Sequence, residues 1–148
     1  MRILLLLTVC TLCAFEPATA LDESASKPEA LQKELDDTNE ELIAIVRQPL
    51  SDFIKESPPA CDSRNLGKTS GNALHLSKLV ERGAIDLSAK HRLDLGSTIV
   101  DIADAALKAG CKEEARALYD YVIAVFVGGN FASIRQRAQI GIEDLRRR

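Results

Sequence analysis

Asp101 and Asp104 are the two side chains in this sequence whose spacing best suits acid–base chemistry. They stand three residues apart in a segment with a helical apolar pattern, so both carboxylates can lie on one face of a helix. Paired carboxylates can act as general acid and general base. The same spacing is usual on a solvated helix face, so we interpret the pair as a candidate contact for a charged partner and not as a catalytic dyad.

The two histidines, His75 and His91, are the other candidate bases or metal ligands. Both fall within predicted helices, and we expect each to be a surface or boundary imidazole. Gly67-Lys68-Thr69 matches the end of a phosphate-binding loop, but the glycine that this motif needs five residues earlier is Asp62. The sequence also has no Gly-x-Ser-x-Gly and no His-Glu-x-x-His. We therefore predict a protein that is not an enzyme and that holds no metal or cofactor.

Four cysteines are present, and two of them, Cys10 and Cys13, lie in an apolar N-terminal run. The other two, Cys61 and Cys111, belong to no Cys-x-x-Cys motif. If the N-terminal run is a leader that is removed on export, as argued below, Cys61 and Cys111 are the two cysteines that remain. Two cysteines in an oxidising compartment are expected to form a disulfide. Closing a loop of about 50 residues stabilises a fold by roughly 4 kcal/mol in the chain-entropy model. We predict a Cys61–Cys111 disulfide.

The N-terminus has the pattern of a secretory signal peptide. Arg2 precedes an apolar run over residues 3–15, and Ala18-Thr19-Ala20 supplies the small residues of a cleavage site. We predict cleavage between Ala20 and Leu21, which places the mature protein in the periplasm or the secreted fraction. The run is too short for a stable membrane anchor. Leu7-Thr8-Val9-Cys10 leaves lipid attachment as an alternative, although Val9 stands where such sites have a small residue.

The charge of the chain is mildly acidic overall and unevenly distributed. It has 22 Asp and Glu against 19 Lys and Arg, a net charge of −3, which argues against nucleic acid as a partner. Residues 22–62 are acidic, whereas residues 131–148 contain five arginines. Arg135 and Arg137 are candidate contacts for an acidic partner. The alternative is that the last helix is the polar cap of a helical stack.

A long N-terminal helix is predicted over residues 27–48, because Ser26-Lys27-Pro28-Glu29 resembles a capping box and Pro49 follows the apolar pattern. Its apolar residues alternate at spacings of four and three, and we expect this stripe to pack on the core rather than to form a coiled coil. The stripe consists of Leu31, Leu35, Thr38, Leu42 and Ile45.

The rest of residues 21–148 reads as a single helical domain. Residues 56–70 are rich in Pro, Gly, Ser and Thr and are predicted as a loop, and residues 72–148 as a helical core. No segment alternates apolar and polar residues for long enough to predict a strand. The fold class is therefore all-α, with about five helices in antiparallel hairpins. The helices of the core are predicted near residues 72–82, 87–109, 112–127 and 131–147.

The segment from Gly96 to Gly129 has a helix, a glycine turn and a second helix within 34 residues. Apolar and small residues occupy the contact positions of the first helix, and an alanine precedes an aromatic residue by four positions on the second. In these features the segment resembles one tetratricopeptide repeat. The residues that carry the resemblance are Ile99, Ile102, Ala103, Gly110-Cys111, Ala115 and Tyr119.

The resemblance implies a helical scaffold that binds a protein or peptide. Ala106, Val122 and Val127 depart from the repeat pattern, and no second copy follows at the same period. A small helical bundle of another kind is therefore the alternative fold.

We predict a non-enzymatic exported binding or adaptor protein of the cell envelope that acts through the groove between helices 90–109 and 112–127. The alternative is a stress-protective periplasmic chaperone. In that hypothesis the acidic first helix docks on the basic last helix, and acid releases the apolar stripe. The sequence predicts no oligomeric state.

Overall fold

The computed structural model describes residues 26–147, and within them it contains five α-helices. The predicted signal peptide and its cleavage site between Ala20 and Leu21 lie outside the described residues. The helices are α1 (Ser26–Ile54), α2 (Arg64–Glu81), α3 (Ala89–Lys108), α4 (Lys112–Val125) and α5 (Ala132–Arg147), with a short 3-10 helix (Gly129–Phe131) before α5.

The predicted all-α fold is confirmed, because the described residues form helices and no strand. Helices that follow one another along the chain pack together as hairpins, and α3 also contacts α1 and α5. One core joins all five helices, with α3 at its centre. Its largest fully buried side chains include Tyr119, Phe53, Ile43, Leu66, Leu95, Ile99, Ile102 and Leu118.

Helix α1 continues past Pro49, so the prediction of a helix over residues 27–48 was wrong at its C-terminal end. A proline in a helix has no N–H for the carbonyl four residues earlier, here that of Ile45. The side-chain amide of Asn72 donates to this oxygen at 3.2 Å. The hydroxyl of Thr69 donates to the next carbonyl, that of Val46, at 2.7 Å. Side chains from α2 therefore bind the backbone where the proline disturbs it.

The predicted loop over residues 56–70 was too long, because α2 begins at Arg64. Ser63 caps the helix by accepting a hydrogen bond from the Asn65 N–H at 3.2 Å, and its own hydroxyl donates to Glu56 at 2.6 Å. The first turns of α2 contain small polar residues, which is why the sequence pattern did not predict a helix there. Their buried positions nevertheless recur at the helical intervals of three and four. These buried residues are Leu66, Thr69, Ser70 and Ala73.

The later helices have the predicted ends, because cap residues are strong local signals. Gly83 and Gly110 follow α2 and α3 with positive φ values of 69° and 83°, which a glycine adopts without strain. Ser88 caps α3 by accepting a hydrogen bond from the His91 N–H. The connections between these helices are consequently short.

We predicted that the apolar stripe of α1 packs on the core, but of its residues only Leu42 contacts the core. The buried face of α1 is offset from the stripe by one residue, which turns it by about 100° around the helix axis. Leu31, Leu35 and Ile45 stay exposed, and Leu42 is half-buried. The residues that pack inward instead are Asn39, Ile43, Val46, Leu50 and Phe53.

Cys61 and Cys111 stand at disulfide distance, as the sequence predicts, with their Cα atoms 5.2 Å apart. Cys61 lies in the connection between α1 and α2, and Cys111 lies between α3 and α4. The link therefore joins the α1–α2 hairpin to the α3–α4 hairpin. Within residues 26–147, no helix is both long enough and apolar enough to cross a membrane.

Candidate functional site

Three of the four predicted partner-binding residues lie together in a polar cluster between α3 and α5. The Arg137 guanidinium donates to Asp101 Oδ1 at 2.9 Å and to Asp104 Oδ2 at 3.0 Å. It also donates to Ser97 Oγ at 3.3 Å. The hydrogen bond to Asp101 is the main reason that the pKa of Arg137 is raised. The charges of this polar cluster are thus paired with one another.

Tyr119 completes the polar cluster from α4. Its hydroxyl donates to Asp104 Oδ1 at 2.5 Å, while its ring is fully buried. Burial is the main cause that raises the pKa of Tyr119, and the hydrogen bond to Asp104 adds to it. A Cβ atom added at Gly141 would overlap the Tyr119 ring, so glycine is what allows α5 to approach α4 this closely.

Helix α5 packs on both α3 and α4 and so occupies the groove between them, and a partner-binding role for this groove stays a prediction. Ile134 and Ala138 of α5 are buried there, and the polar cluster fastens the same helix. A cavity of about 280 Å³ remains at the exposed edge of this contact. Its walls are formed by Asp104, Leu107, Lys108, Tyr119, Arg137, Ile140, Gly141 and Asp144.

Arg135, the fourth predicted partner residue, lies outside the polar cluster. It is half-buried, and its Nε atom has no hydrogen-bond partner among the described residues. Residues two apart on a helix point about 200° apart around its axis, which explains why Arg135 and Arg137 separate. The role of these residues in binding a partner stays a prediction.

We predicted a surface or boundary position for His91, but its side chain is buried. Its Nδ1 hydrogen-bonds to Ser88 Oγ at 2.7 Å. Its Nε2 lies 3.4 Å from a Glu40 oxygen, close enough for an ion pair when protonated but not aligned for a hydrogen bond. Lys90 reaches the same carboxylate at 3.1 Å, which lowers the pKa of Glu40. This group ties α1 to α3, whereas His75 is exposed as predicted.

Among the described residues, α1 has an apolar stripe that is largely exposed. We call Leu31, Leu35, Leu42 and Ile45 the α1 stripe. Leu31 is 61% exposed, Leu35 44% and Ile45 56%. From residue 29 to residue 38 every side chain except that of Asp36 is exposed, so this part of α1 projects beyond the other helices.

The α1 stripe continues into a groove between α1 and α2. Leu42 and Ile45 form one wall of a cavity of about 130 Å³, and Leu79 of α2 and Ile85 stand opposite them. His75 lies at its exposed border. The groove and the α1 stripe together form one elongated apolar surface.

Acidic side chains surround the α1 stripe. Residues 29–41 contain six acidic residues and one basic residue, Lys33. Glu40 is engaged by Lys90 and His91, and the other five carboxylates have no ion pair with any described residue. These five are Glu29, Glu34, Asp36, Asp37 and Glu41.

Sequence periodicity finds the α1 stripe but not its exposure, since two adjacent faces of α1 both have a spacing of four and three. It misses Asn72 and Tyr119 as polar partners, because their acceptors are distant in sequence.

In the part of the chain that the structure describes, no group of three or more His, Cys, Asp or Glu side chains could hold a metal ion. Comparison with protein-family models, curated proteins and solved structures finds no match to this chain.

Proposed function

We propose that this protein is an exported, non-enzymatic binding or adaptor protein of the cell envelope whose working surface is the α1 stripe with its adjoining groove. The observation that carries the proposal is the exposure of Leu31, Leu35 and Ile45 on a helix that projects from the bundle. Contiguous exposed apolar surface on a folded domain typically marks a docking site.

Helix energetics support the same conclusion. An isolated helix shorter than about 12–15 residues is marginal in water, and most helical stability in proteins comes from packing of an apolar face. The projecting part of α1 has such a face, and none of the helices within residues 26–147 packs against it. Burying one leucine side chain stabilises a contact by roughly 1.5–3 kcal/mol. A partner that covers the α1 stripe would therefore gain affinity and stabilise α1.

Export is supported by the leader pattern before Leu21 and by the disulfide-distance pair Cys61 and Cys111. Disulfides persist in oxidising compartments. N-terminal sequencing of the exported protein tests this part of the proposal. We expect Leu21 as the first residue, and a protein that keeps Met1 in the exported fraction would contradict cleavage.

We also propose that residues 96–129 form a tetratricopeptide-like unit that serves as the scaffold. The burial of Ala103, Ala115 and Tyr119 at the helix crossings supports this, as does a third helix packed on the pair. In this proposal the unit positions α1 through the contact between α1 and α3. Helix α5 fills the groove between α3 and α4.

Co-purification from envelope extract tests the binding function. The wild-type protein is compared with Leu31→Gln/Leu35→Gln, which replaces two exposed side chains and should leave the fold intact. The matched control is Val127→Gln/Ile140→Gln, which replaces exposed side chains elsewhere (63% and 52%). We expect a partner that wild type and control recover and the stripe variant loses. Equal recovery by all three proteins would refute the α1 stripe as the working surface.

The chaperone hypothesis cannot rely on acid releasing the acidic helix α1 from the basic helix α5. Among the described residues α1 packs on α2 and α3, and its ion pairs connect it to α3, so acid cannot release α1 from α5. A chaperone would use the α1 stripe as it already stands, without a trigger. Suppression of aggregation of unrelated unfolded clients at neutral pH, lost in Leu31→Gln/Leu35→Gln, would favour this alternative.

A further inference from the structure

We propose that the partner of the α1 stripe is a cationic amphipathic helix of another protein, which lies along α1 and inserts an aliphatic side chain into the groove between α1 and α2. This inference rests on the proposed function and specifies the chemistry of the partner. The occupant follows from the shape of the surface and from its charge.

The shape of the surface fits a helix. The α1 stripe runs from Leu31 to Ile45, which corresponds to about 21 Å along a helix axis. Its spacing of four and three is the spacing by which two helices interlock side chains. At the Ile45 end, Leu79 and Ile85 form the far wall of the groove, with room for an aliphatic side chain. An amphipathic helix of about four turns would cover this surface.

The charge of the surface decides which helix binds. Glu34 and Glu41 immediately precede Leu35 and Leu42, so both carboxylates line the same edge of the α1 stripe. Both are exposed and have no ion pair with a described residue. Flanking charges of this kind select partners of opposite charge in paired helices. Lysine or arginine on the matching edge of a partner would complement them.

The same charges disfavour two other occupants. A second copy docked through its own α1 would place six acidic residues and one basic residue against an equal set. A membrane rich in anionic lipids would be repelled in the same way. Both remain outcomes that the experiment can detect.

The experiment uses the processed, oxidised protein and three synthetic helical peptides with the same leucine stripe. Their flanking positions carry lysine, glutamine or glutamate. We expect the lysine peptide to bind at least about tenfold more tightly than the glutamate peptide at low salt, with the difference shrinking as salt screens the charges. Calorimetry or fluorescence anisotropy gives the dissociation constants. Glu34→Gln/Glu41→Gln should lower the preference for lysine severalfold.

Variants of the α1 stripe locate the binding surface. Leu31→Gln/Leu35→Gln should weaken the lysine peptide at least about tenfold, since it removes two aliphatic contacts. Val127→Gln/Ile140→Gln should change affinity less than about twofold, since both residues lie outside the surface. Circular dichroism and the urea midpoint verify that each variant is folded.

The outcomes separate this inference from the function on which it rests. Equal binding of all three peptides, sensitive to Leu31→Gln/Leu35→Gln, would overturn the cationic partner but keep the α1 stripe as a docking site. Self-association or binding to anionic vesicles, lost in the same variant, would replace the partner by a second copy or by a membrane. Peptide binding that the variant leaves unchanged, or no binding of any kind, would overturn both.

Discussion

At the scale of single residues, the contact between Gly141 and Tyr119 decides how closely α5 approaches α4. The Tyr119 ring lies where any other residue at position 141 would place its Cβ atom. The hydroxyl of the same tyrosine is fixed to Asp104, so the ring cannot easily turn aside. Interiors at close-packed density transmit such an overlap into backbone shifts.

Gly141→Ala is therefore expected to destabilise the fold by about 1–3 kcal/mol through overpacking. Gly67→Ala is the matched control, because Gly67 also lies in a helix and a Cβ atom there meets nothing within 4 Å. The control should be neutral or stabilising by up to about 1 kcal/mol, since alanine is the better helix former. Urea unfolding measures both changes, and equal stability of the two variants would contradict this packing.

The two tyrosines provide a second test, since the chain contains only Tyr119 and Tyr121. Burial raises the pKa of both, and the Tyr121 value reaches about 12 with the help of a hydrogen bond to Glu81. A raised pKa means that the folded state favours the neutral phenol. This stabilisation is complete below pH 10, the unfolded value, and is lost as pH rises through the folded values.

We therefore expect the free energy of unfolding to fall above pH 10, and tyrosinate absorbance of the folded protein to appear near pH 12 or above. Tyr119→Phe should leave a single transition, that of Tyr121. A normal titration of either tyrosine near pH 10 in folded protein would show that its hydroxyl is solvated.

At the scale of helices, local signals predict ends better than they predict faces. The glycines after α2 and α3 and the Ser88 cap act within a few residues, so the sequence is enough to place those boundaries. Pro49 is a local stop signal that tertiary contacts override, because Asn72 and Thr69 bind the carbonyls beside it. Pairing between α1 and α2 cannot be derived from the pattern of α1 alone.

The face of α1 that enters the core is also a tertiary outcome. Both the α1 stripe and the buried set that includes Ile43 and Val46 have helical spacing, and the stripe contains the more leucines. The Thr69 hydroxyl donates to the Val46 backbone carbonyl, on the face of α1 that packs against α2. The candidate docking surface is therefore visible in the sequence as a stripe, but its exposure follows only from the packing of α2.

Asn72→Ala tests how α1 passes through Pro49. In the wild type this change leaves the Ile45 carbonyl without its side-chain donor, and we expect a loss of about 0.5–1.5 kcal/mol. In a Pro49→Ala background the backbone N–H of residue 49 can bind that carbonyl, so the same change should cost less. A double-mutant cycle in urea measures the coupling. Equal costs in the two backgrounds would show that Asn72 acts independently of the proline.

At the scale of the whole molecule, the Cys61–Cys111 pair connects two hairpins whose other contacts run mainly through α3. The α1–α2 hairpin presents the proposed docking surface, while the α3–α5 part contains the polar cluster and the centre of the core. A disulfide between them would keep the α1–α2 hairpin attached when local contacts open. The same cross-link restricts the unfolded chain over a sequence separation of 50 residues.

Reduction is therefore expected to lower the free energy of unfolding by up to about 4 kcal/mol. Cys61→Ser/Cys111→Ser should behave like the reduced protein, and further reduction of this variant should change nothing. Because α1 contacts the core less than α3 does, amide exchange in reduced protein should rise first in α1 and α2. Intact mass after blocking free thiols verifies the starting state. Two alkylated cysteines in native protein, or an unchanged urea midpoint on reduction, would show that the hairpins are held together by packing alone.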